Sequence, residues 1–398
     1  MTTPQILTVD NAAVGGGVVG RLGDGRACFV EDALVGERVS VEITEEHPRH
    51  ARARVIEVLS PSPHRVEPPC PAVARGCGGC DLQHAALDEQ LRMKASVIAD
   101  AWERIGRLPR PDVMIRPLPA AGYRTTIRLA VDRGGVGFRA ARSHDVVAVD
   151  ECLVAHPLAA ELITGGRYDG CDEVVIRVGA RTGEAMVVAY PSAAAVSVPS
   201  GVTLVGADEL ASGRQAWIHE LVAGRPWRIS AESFFQTRPD GAEALVDEVR
   251  SAVERLVGTP SRLVDLCAGV GLFAGTVPAD HVTAVEQSRS ACADARSNLA
   301  DLGGGDSADV VHASFAKWRP SMADVVIADP SREGLRRVGV ERVALTGASV
   351  VVLVSCDAGA GARDAGLLVA AGYHPEAVTL VDLFPHTHHV EVVSVFSM

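Results

Sequence analysis

From residue 230 onward, short apolar runs recur between loops and helical stretches: RLVDL (262–266), HVTAV (281–285), DVVIA (324–328) and SVVVLVS (349–355). Brief β-branched runs alternating with longer helical segments imply strands that return parallel through a crossover helix. A sheet built that way is covered on both faces. The expected fold is therefore α/β, with a doubly wound, Rossmann-like domain over residues 230–398. Ligands of such sheets bind at the carboxyl ends of the strands.

Two other regions precede it. In residues 1–60, Val39, Val41 and Ile43 alternate with Ser40 and Glu42, and Ala51, Ala53 and Val55 alternate with Arg52 and Arg54. Short alternating strands with Gly-rich turns predict a small five-stranded β-barrel of the OB type, a common platform for single-stranded nucleic acid. The other reading of Arg52 and Arg54 is a charged edge that discourages aggregation. Residues 61–229 open with a Pro-rich stretch, SPSPHRVEPPCP, and a helix carrying Leu87, Leu91, Ile98, Trp102 and Ile105. Strand signals between Gly/Pro turns follow and predict a mostly β, antiparallel central domain.

At 47% hydrophobic and 22% charged residues, the 398-residue chain can bury real cores. No apolar run approaches the roughly 20 residues of a membrane-spanning helix, and MTTPQILTVDNAA has no signal-peptide pattern. A cytoplasmic protein without membrane association is expected, so its nine cysteines are not read as disulfides. The formal net charge is −12, yet residues 1–150 carry 19 basic and 19 acidic groups. A polyanion would therefore meet the first 150 residues more readily. Arg49, Arg52, Arg54, Arg104, Arg107, Arg110, Arg124 and Arg128 are the candidate phosphate contacts.

Three features carry chemistry. In LVDLCAGVGLFAG (263–275), Gly269 and Gly271 let backbone amides approach a ligand, and Glu286 ends the next strand, where a carboxylate meets ribose hydroxyls. Ala274 stands where a dinucleotide loop has its third glycine, which favours S-adenosylmethionine over a nicotinamide cofactor. Cys356 follows the strand VVVLVS, where helix-start amides can lower a thiol's pKa and make it a nucleophile. Asp329 ends another strand at the same edge, and Glu391 lies in the last one. Finally, Cys70, Cys77 and Cys80 fall within eleven residues; with a fourth cysteine they suit either zinc or an iron–sulfur cluster. His386, His388 and His389 are read as packing and site wall, since neighbours in a strand point to opposite faces.

The segments PPC…CGGCDLQH (68–84), ESFFQTRPDGAEAL (232–245), DLCAGVGLF (265–273), IADPSREGL (327–335), VSCDAGAGARD (354–364) and FPHTHHVEVV (384–393) together resemble the 5-methyluridine RNA methyltransferase family. The resemblance spans nearly the whole chain in the family's order. It implies a TRAM barrel at the N-terminus, S-adenosyl-L-methionine as cofactor, and a [4Fe–4S] cluster on Cys70, Cys77, Cys80 and Cys152. It also implies Cys356 as the nucleophile that adds to uracil C6 and Glu391 as the base that removes the C5 proton. Gln236, Cys267, Gly269, Gly271, Leu272, Glu286 and Asp329 would hold the cofactor. The implied partner is RNA, with 23S ribosomal RNA ahead of tRNA, and the protein is expected to act as a monomer. Asp357 and Ala358 stand where the family commonly has Asn-Pro, Leu272 where it has Asn, and Ser331 where it has a second Pro. Those departures keep a rival open, a non-catalytic RNA-binding or iron–sulfur protein on a degenerate methyltransferase fold.

Overall fold

The structure is a computed structural model that describes residues 4–132, 135–141, 143–301 and 308–398. Gln5–Ala12, Val18–Arg21, Ala27–Glu31, Arg38–Glu46 and His50–Ser60 close into a five-stranded barrel. Alternation fills its inside with Val9, Val18, Val30, Val39 and Val41 and leaves Arg52 and Arg54 outside. The barrel core also takes in Leu82, Ala85 and Met93 from the following segment, so the barrel is not an isolated bead.

The middle of the chain forms a six-stranded sheet, antiparallel except where Ala185–Tyr190 pairs parallel with Thr203–Gly206. A two-stranded ribbon, Trp217–Val222 with Arg225–Ser230, follows it. Its Ile218, Trp227 and Ile229 pack in one core with Val188 of the middle sheet and Val249 and Leu263 of the C-terminal region.

The C-terminal sheet has eight strands. Five run parallel in the order Ala308–His312, His281–Glu286, Arg262–Leu266, Val325–Ala328, Val350–Ser355. The doubly wound pattern then breaks: Val392–Ser397 inserts antiparallel between Val350–Ser355 and His374–Val381. A purely parallel sheet was the sequence expectation; the short loop from residue 381 to 392 permits only a hairpin return, which is antiparallel. Val113–Arg116, from the segment assigned by sequence to the central domain, adds the outermost strand by pairing with His374–Val381.

The helix predicted from Leu87 to Ile105 is an α-helix over Leu87–Ala101 that widens into a π turn over Trp102–Gly106. Its buried face differs from the expected stripe: Leu87 and Ile105 are exposed, whereas Gln90, Met93, Lys94, Ile98 and Trp102 are buried. Two of these are polar, so the face grips partners by hydrogen bonds as well as by packing. Gly106 ends the turn against the helix Ala358–Ala370, and a Cβ there would lie 2.6 Å from the Ala362 carbonyl oxygen. No helix among the described residues is long and apolar enough to cross a membrane.

Candidate active site

Strand register assembles the site. Leu266 pairs with Val285 on one side and Ala328 on the other, so the next residues, Glu286, Cys267 and Asp329, line up at the carboxyl edge. Ser355 pairs with Val392 in the antiparallel insertion. That brings the residue after one strand, Cys356, opposite the residue before the other, Glu391. Glu286, Cys267, Asp329, Cys356 and Glu391 line one open cleft, together with Gln236, Gly269, Leu272, Ser314, Ser331 and Arg332. Gly271 is the sequence candidate that does not line it. Its φ of +93° turns the loop, and a Cβ there would meet the Leu299 side chain.

The loop is held from both sides. Cys267 and Ala268 donate their N–H groups to the Val285 carbonyl at 2.9 and 3.0 Å. Glu286 accepts from Gly269 N–H (2.9 Å) through one oxygen and from Ser288 N–H (2.7 Å) through the other. Glu286 thus staples the loop to the next helix, and each of its oxygens keeps a lone pair beyond these bonds. Cys267 sits at φ +69°, a left-handed conformation that a non-glycine residue adopts at a cost, and such outliers concentrate at ligand sites. Gly269 faces open space where its Cβ would be. Behind the loop, the fully buried Asp265 accepts the Ala274 N–H at 2.8 Å, its other oxygen has no partner, and burial pushes its carboxyl up to about 7.

The reactive end has its own electrostatics. Burial first, and the Asp329 charge second, raise the Glu391 carboxyl well above the carboxylate range. Burial also raises Asp329 to about 7. Two buried carboxyls so placed disfavour each other's ionisation. Cys356 is pushed up to about 12, by burial and then by Glu391 and Asp329, with Arg332 opposing. The expectation of a lowered thiol pKa is therefore corrected. Asp357 caps the helix Ala358–Ala370 by accepting the Ala360 N–H at 2.7 Å, but the two carboxyls and the dry wall outweigh the helix start. The same bond gives Asp357 a role at the position where it departs from the family pattern.

Cys356 also lines a second, smaller pocket with barrel residues 12–16, Arg332, His388 and His389. The histidines lie in the turn before the last strand, not in it, so their rings stand together at 4.3 Å between centroids instead of on opposite faces. Phe234, in the ESFFQ segment, was not singled out from sequence; it lines the large cleft while 66% exposed. An aromatic so exposed beside a glutamine that is 6% exposed is the signal that would have marked it.

Most of the candidate arginines are already paired: Arg52 with Glu45, Arg54 with Glu42, Arg104 with Asp100, Arg110 with Asp100 and Glu103, and Arg128 with Glu173. Of the other candidates, Arg49 and Arg107 have no ion-pair partner among the described residues, and Arg124 donates to the Thr126 carbonyl at 3.1 Å. Among the described residues, Arg332 in the cleft has no ion-pair partner either.

Cys70, Cys77, Cys80 and Cys152 line a separate pocket with Gln83, Arg124 and Phe138. All four are free thiols. Gly78 lets the loop lie against a neighbouring strand: its N–H reaches the Arg139 carbonyl at 3.1 Å, and a Cβ would strike Ala141. Burial raises Cys77, Cys80 and Cys152, and the thiols raise one another, while the N–H groups of Val154 and Ala155 face the Cys152 sulfur. Among the described residues no three His, Cys, Asp or Glu side chains stand as a preformed metal site. The pocket gathers the four predicted ligands without closing them on a single ion.

Comparison with known proteins agrees with this architecture. Residues 7–56 match the TRAM domain. An uncharacterized RNA methyltransferase of Streptomyces avermitilis is 34% identical over 98% of this chain and 97% of its own length. The 23S rRNA (uracil(1939)-C(5))-methyltransferase RlmD of Alkalilimnicola ehrlichii is 33% identical over 94% and 92%. Among solved structures, the Pyrococcus abyssi tRNA (uracil-54, C5)-methyltransferase in complex with S-adenosyl-L-homocysteine superimposes with a TM-score of 0.73, at 25% identity, covering 98% of this chain and all of that one.

Proposed function

The chain belongs to the RNA methyltransferase family of these relatives, and from that premise we propose that it forms 5-methyluridine in RNA, with large-subunit ribosomal RNA as the substrate. The observation that carries the reading is the meeting of Cys356, Glu391 and Asp329 with the stapled Gly269 loop in one cleft. S-adenosyl-L-methionine fits there: Gly269 leaves room for close approach, Glu286 stands at ribose position, and Gln236, Cys267, Leu272 and Asp329 complete the wall. Bound, it supplies an electrophilic methyl group.

The protein's own groups do the rest. C5 of uracil is a weak nucleophile until a thiolate adds to C6, and Cys356 provides the thiol. Its proton must leave first, which a pKa raised to about 12 makes unfavourable in the free protein. The thiol therefore ionises only as it adds to C6 of a seated uracil, its proton passing to the ionised carboxyl of the neighbouring Asp329. After methylation the C5 proton has to go so that the thiol can depart, and Glu391 in its ionised form is the base, made a stronger proton acceptor by the burial that raises its carboxyl. The uracil must swing out of its stack to reach this depth. Residues 1–60 are proposed to grip RNA, residues 61–229 to bear the cysteine pocket, and residues 230–398 to catalyse.

We further infer that Cys70, Cys77, Cys80 and Cys152 hold a [4Fe–4S] cluster. Four thiols in one pocket, with backbone N–H groups turned to sulfur, suit it. Its role is structural or RNA-binding, because methyl transfer is not a redox reaction.

The second reading, a tRNA substrate, is favoured by the archaeal enzyme that matches over the full chain. The deciding experiment is single-turnover methylation with labelled S-adenosyl-L-methionine on unmodified 23S rRNA and tRNA transcripts, using wild type and Cys356→Ala. Label at C5 of one uridine in 23S rRNA, absent with the variant, is the expected result. Label on tRNA alone moves the substrate. No label on either RNA despite cofactor binding identifies a degenerate, non-catalytic protein.

A further inference from the structure

The segment leaving the cysteine pocket is bonded directly to the loop that carries Glu391. Asp81, next to Cys80, accepts the His388 backbone N–H at 2.8 Å, and its second oxygen meets His388 Nδ1. The Leu82 N–H donates to the His386 carbonyl at 2.9 Å. Gln90 accepts the His386 N–H at 2.7 Å while its Nε2 donates to the Leu82 and Ala85 carbonyls at 3.1 and 2.9 Å. Lys94 Nζ donates to Asp382 at 2.6 Å and to the Phe384 carbonyl at 2.9 Å, and the Tyr123 hydroxyl donates to the Pro385 carbonyl at 3.1 Å. The turn from 382 to 388 is thus tied by residues 81–123, far from it in sequence. The barrel closes over the same point: a Cβ on Gly16 would lie 2.6 Å from the Asp81 carboxylate and 3.0 Å from His388 Cβ. Glu391 follows His388 by three residues.

We propose that Asp81 is a positioning residue of the catalytic cleft. Through His388 it fixes the turn that ends at Glu391, and it passes the order of the four-cysteine pocket to Cys356 and its surroundings. A charged acceptor holding both the backbone and the ring of one residue defines that residue's place more tightly than a single bond would. A shift of about 1 Å in a catalytic group can cost a hundredfold in rate. The inference rests on the methyl-transfer reading of the cleft.

The test uses the full chain as wild type, Asp81→Ala, Asp81→Asn, Cys80→Ser and the Asp81→Ala/Cys80→Ser double variant. Three quantities are read: kcat and KM for RNA methylation, the dissociation constant for S-adenosyl-L-homocysteine, and the alkylation rate of Cys356 followed by mass spectrometry on its own peptide. Asp81→Ala is expected to lower kcat by ~10–100-fold and leave the dissociation constant unchanged. Asp81→Asn should restore most of the rate, because its Oδ1 still accepts the His388 N–H. Asp81→Ala and Cys80→Ser should each change Cys356 alkylation, Asp81→Asn much less, and the double variant should go no further than the larger single. An unchanged kcat in Asp81→Ala overturns the proposal. So does a loss of kcat matched only by a lower melting temperature with Cys356 alkylation untouched, and so do alkylation effects that multiply independently in the double variant. Should wild type methylate no RNA, the methyl-transfer reading fails on its own, and the alkylation cycle still decides whether the two sites are coupled.

Discussion

Two half-buried thiol sites of the molecule differ in company. Burial raises Cys356 in the cleft, and so it does Cys77, Cys80 and Cys152 in the central pocket. Around Cys356 stand two carboxyls and one arginine, so a single thiol faces groups that can take or repel a proton. Around the four cysteines stand one another's thiols, backbone N–H groups that favour a thiolate on Cys152, and the side chains of Arg124 and Glu151. On the proposed reading, the same residue type under similar desolvation would serve as a nucleophile in one place and a ligand in the other, according to its neighbours. On that reading the second group controls reactivity, and not the thiol itself.

The largest break would come at that second group. Glu391→Gln keeps the shape and removes the base, so multiple-turnover methylation should fall by about 10²–10⁴-fold. Because addition and methylation precede proton removal, the variant should also stay bonded to its RNA, visible as a band shift on a denaturing gel. Full activity in the variant would strip the cleft of its distinguishing feature. Next in size is the thiol's own titration. With its pKa near 12, Cys356 in the free protein should have roughly 10³-fold less thiolate near pH 7 than an ordinary cysteine. Its alkylation by iodoacetamide should keep climbing beyond pH 10. A plateau near pH 7–8 would mean that the cleft activates the thiol without substrate.

Smaller effects should separate the sites. Cys152→Ser is expected to abolish bound iron, read by absorbance and metal analysis, while S-adenosyl-L-homocysteine binds within about threefold of wild type, a difference under about 1 kcal/mol. A large loss of cofactor affinity would show that the cysteine pocket shapes the cofactor loop itself, on the far side of the cleft from the turn that Asp81 holds.

What could be read from the chain depended on how local each feature is. The barrel, the β/α alternation and the glycine loop follow from period and turn chemistry within short windows, and each was legible. The juxtaposition of Cys356 with Glu391 needed the antiparallel insertion of the last strand, which pairs Ser355 with Val392, and no window spans both. The histidine turn was misread as strand because HTHHVEVV alternates like one, whereas bonds from Asp81 and Gln90, nearly 300 residues away in sequence, hold 386–388 out of the sheet. The same distance hid why Gln90 and Lys94 are buried. The raised thiol pKa was missed for a related reason: the helix start is visible locally, the two carboxyls are not.

The last test sharpens the contrast through stability. Asp329 titrates near pH 7 in the folded protein against a reference value of 3.8. A carboxyl whose folded pKa is raised binds its proton more tightly folded than unfolded, so it costs stability as pH rises from about 4 toward 7, and the cost stays constant above that. Asp329→Asn removes the titration. The variant should therefore melt above wild type by a few degrees at pH 8, on the order of 2–4 °C per kcal/mol for a domain of this size, and by less at pH 5. No comparable pH dependence should follow from Cys152→Ser, since nothing in that pocket is an unpaired carboxyl pair. Equal shifts for Asp329→Asn at both pH values would mean that the carboxyls do not disfavour each other's ionisation, and the contrast between the two thiol sites would lose its electrostatic basis.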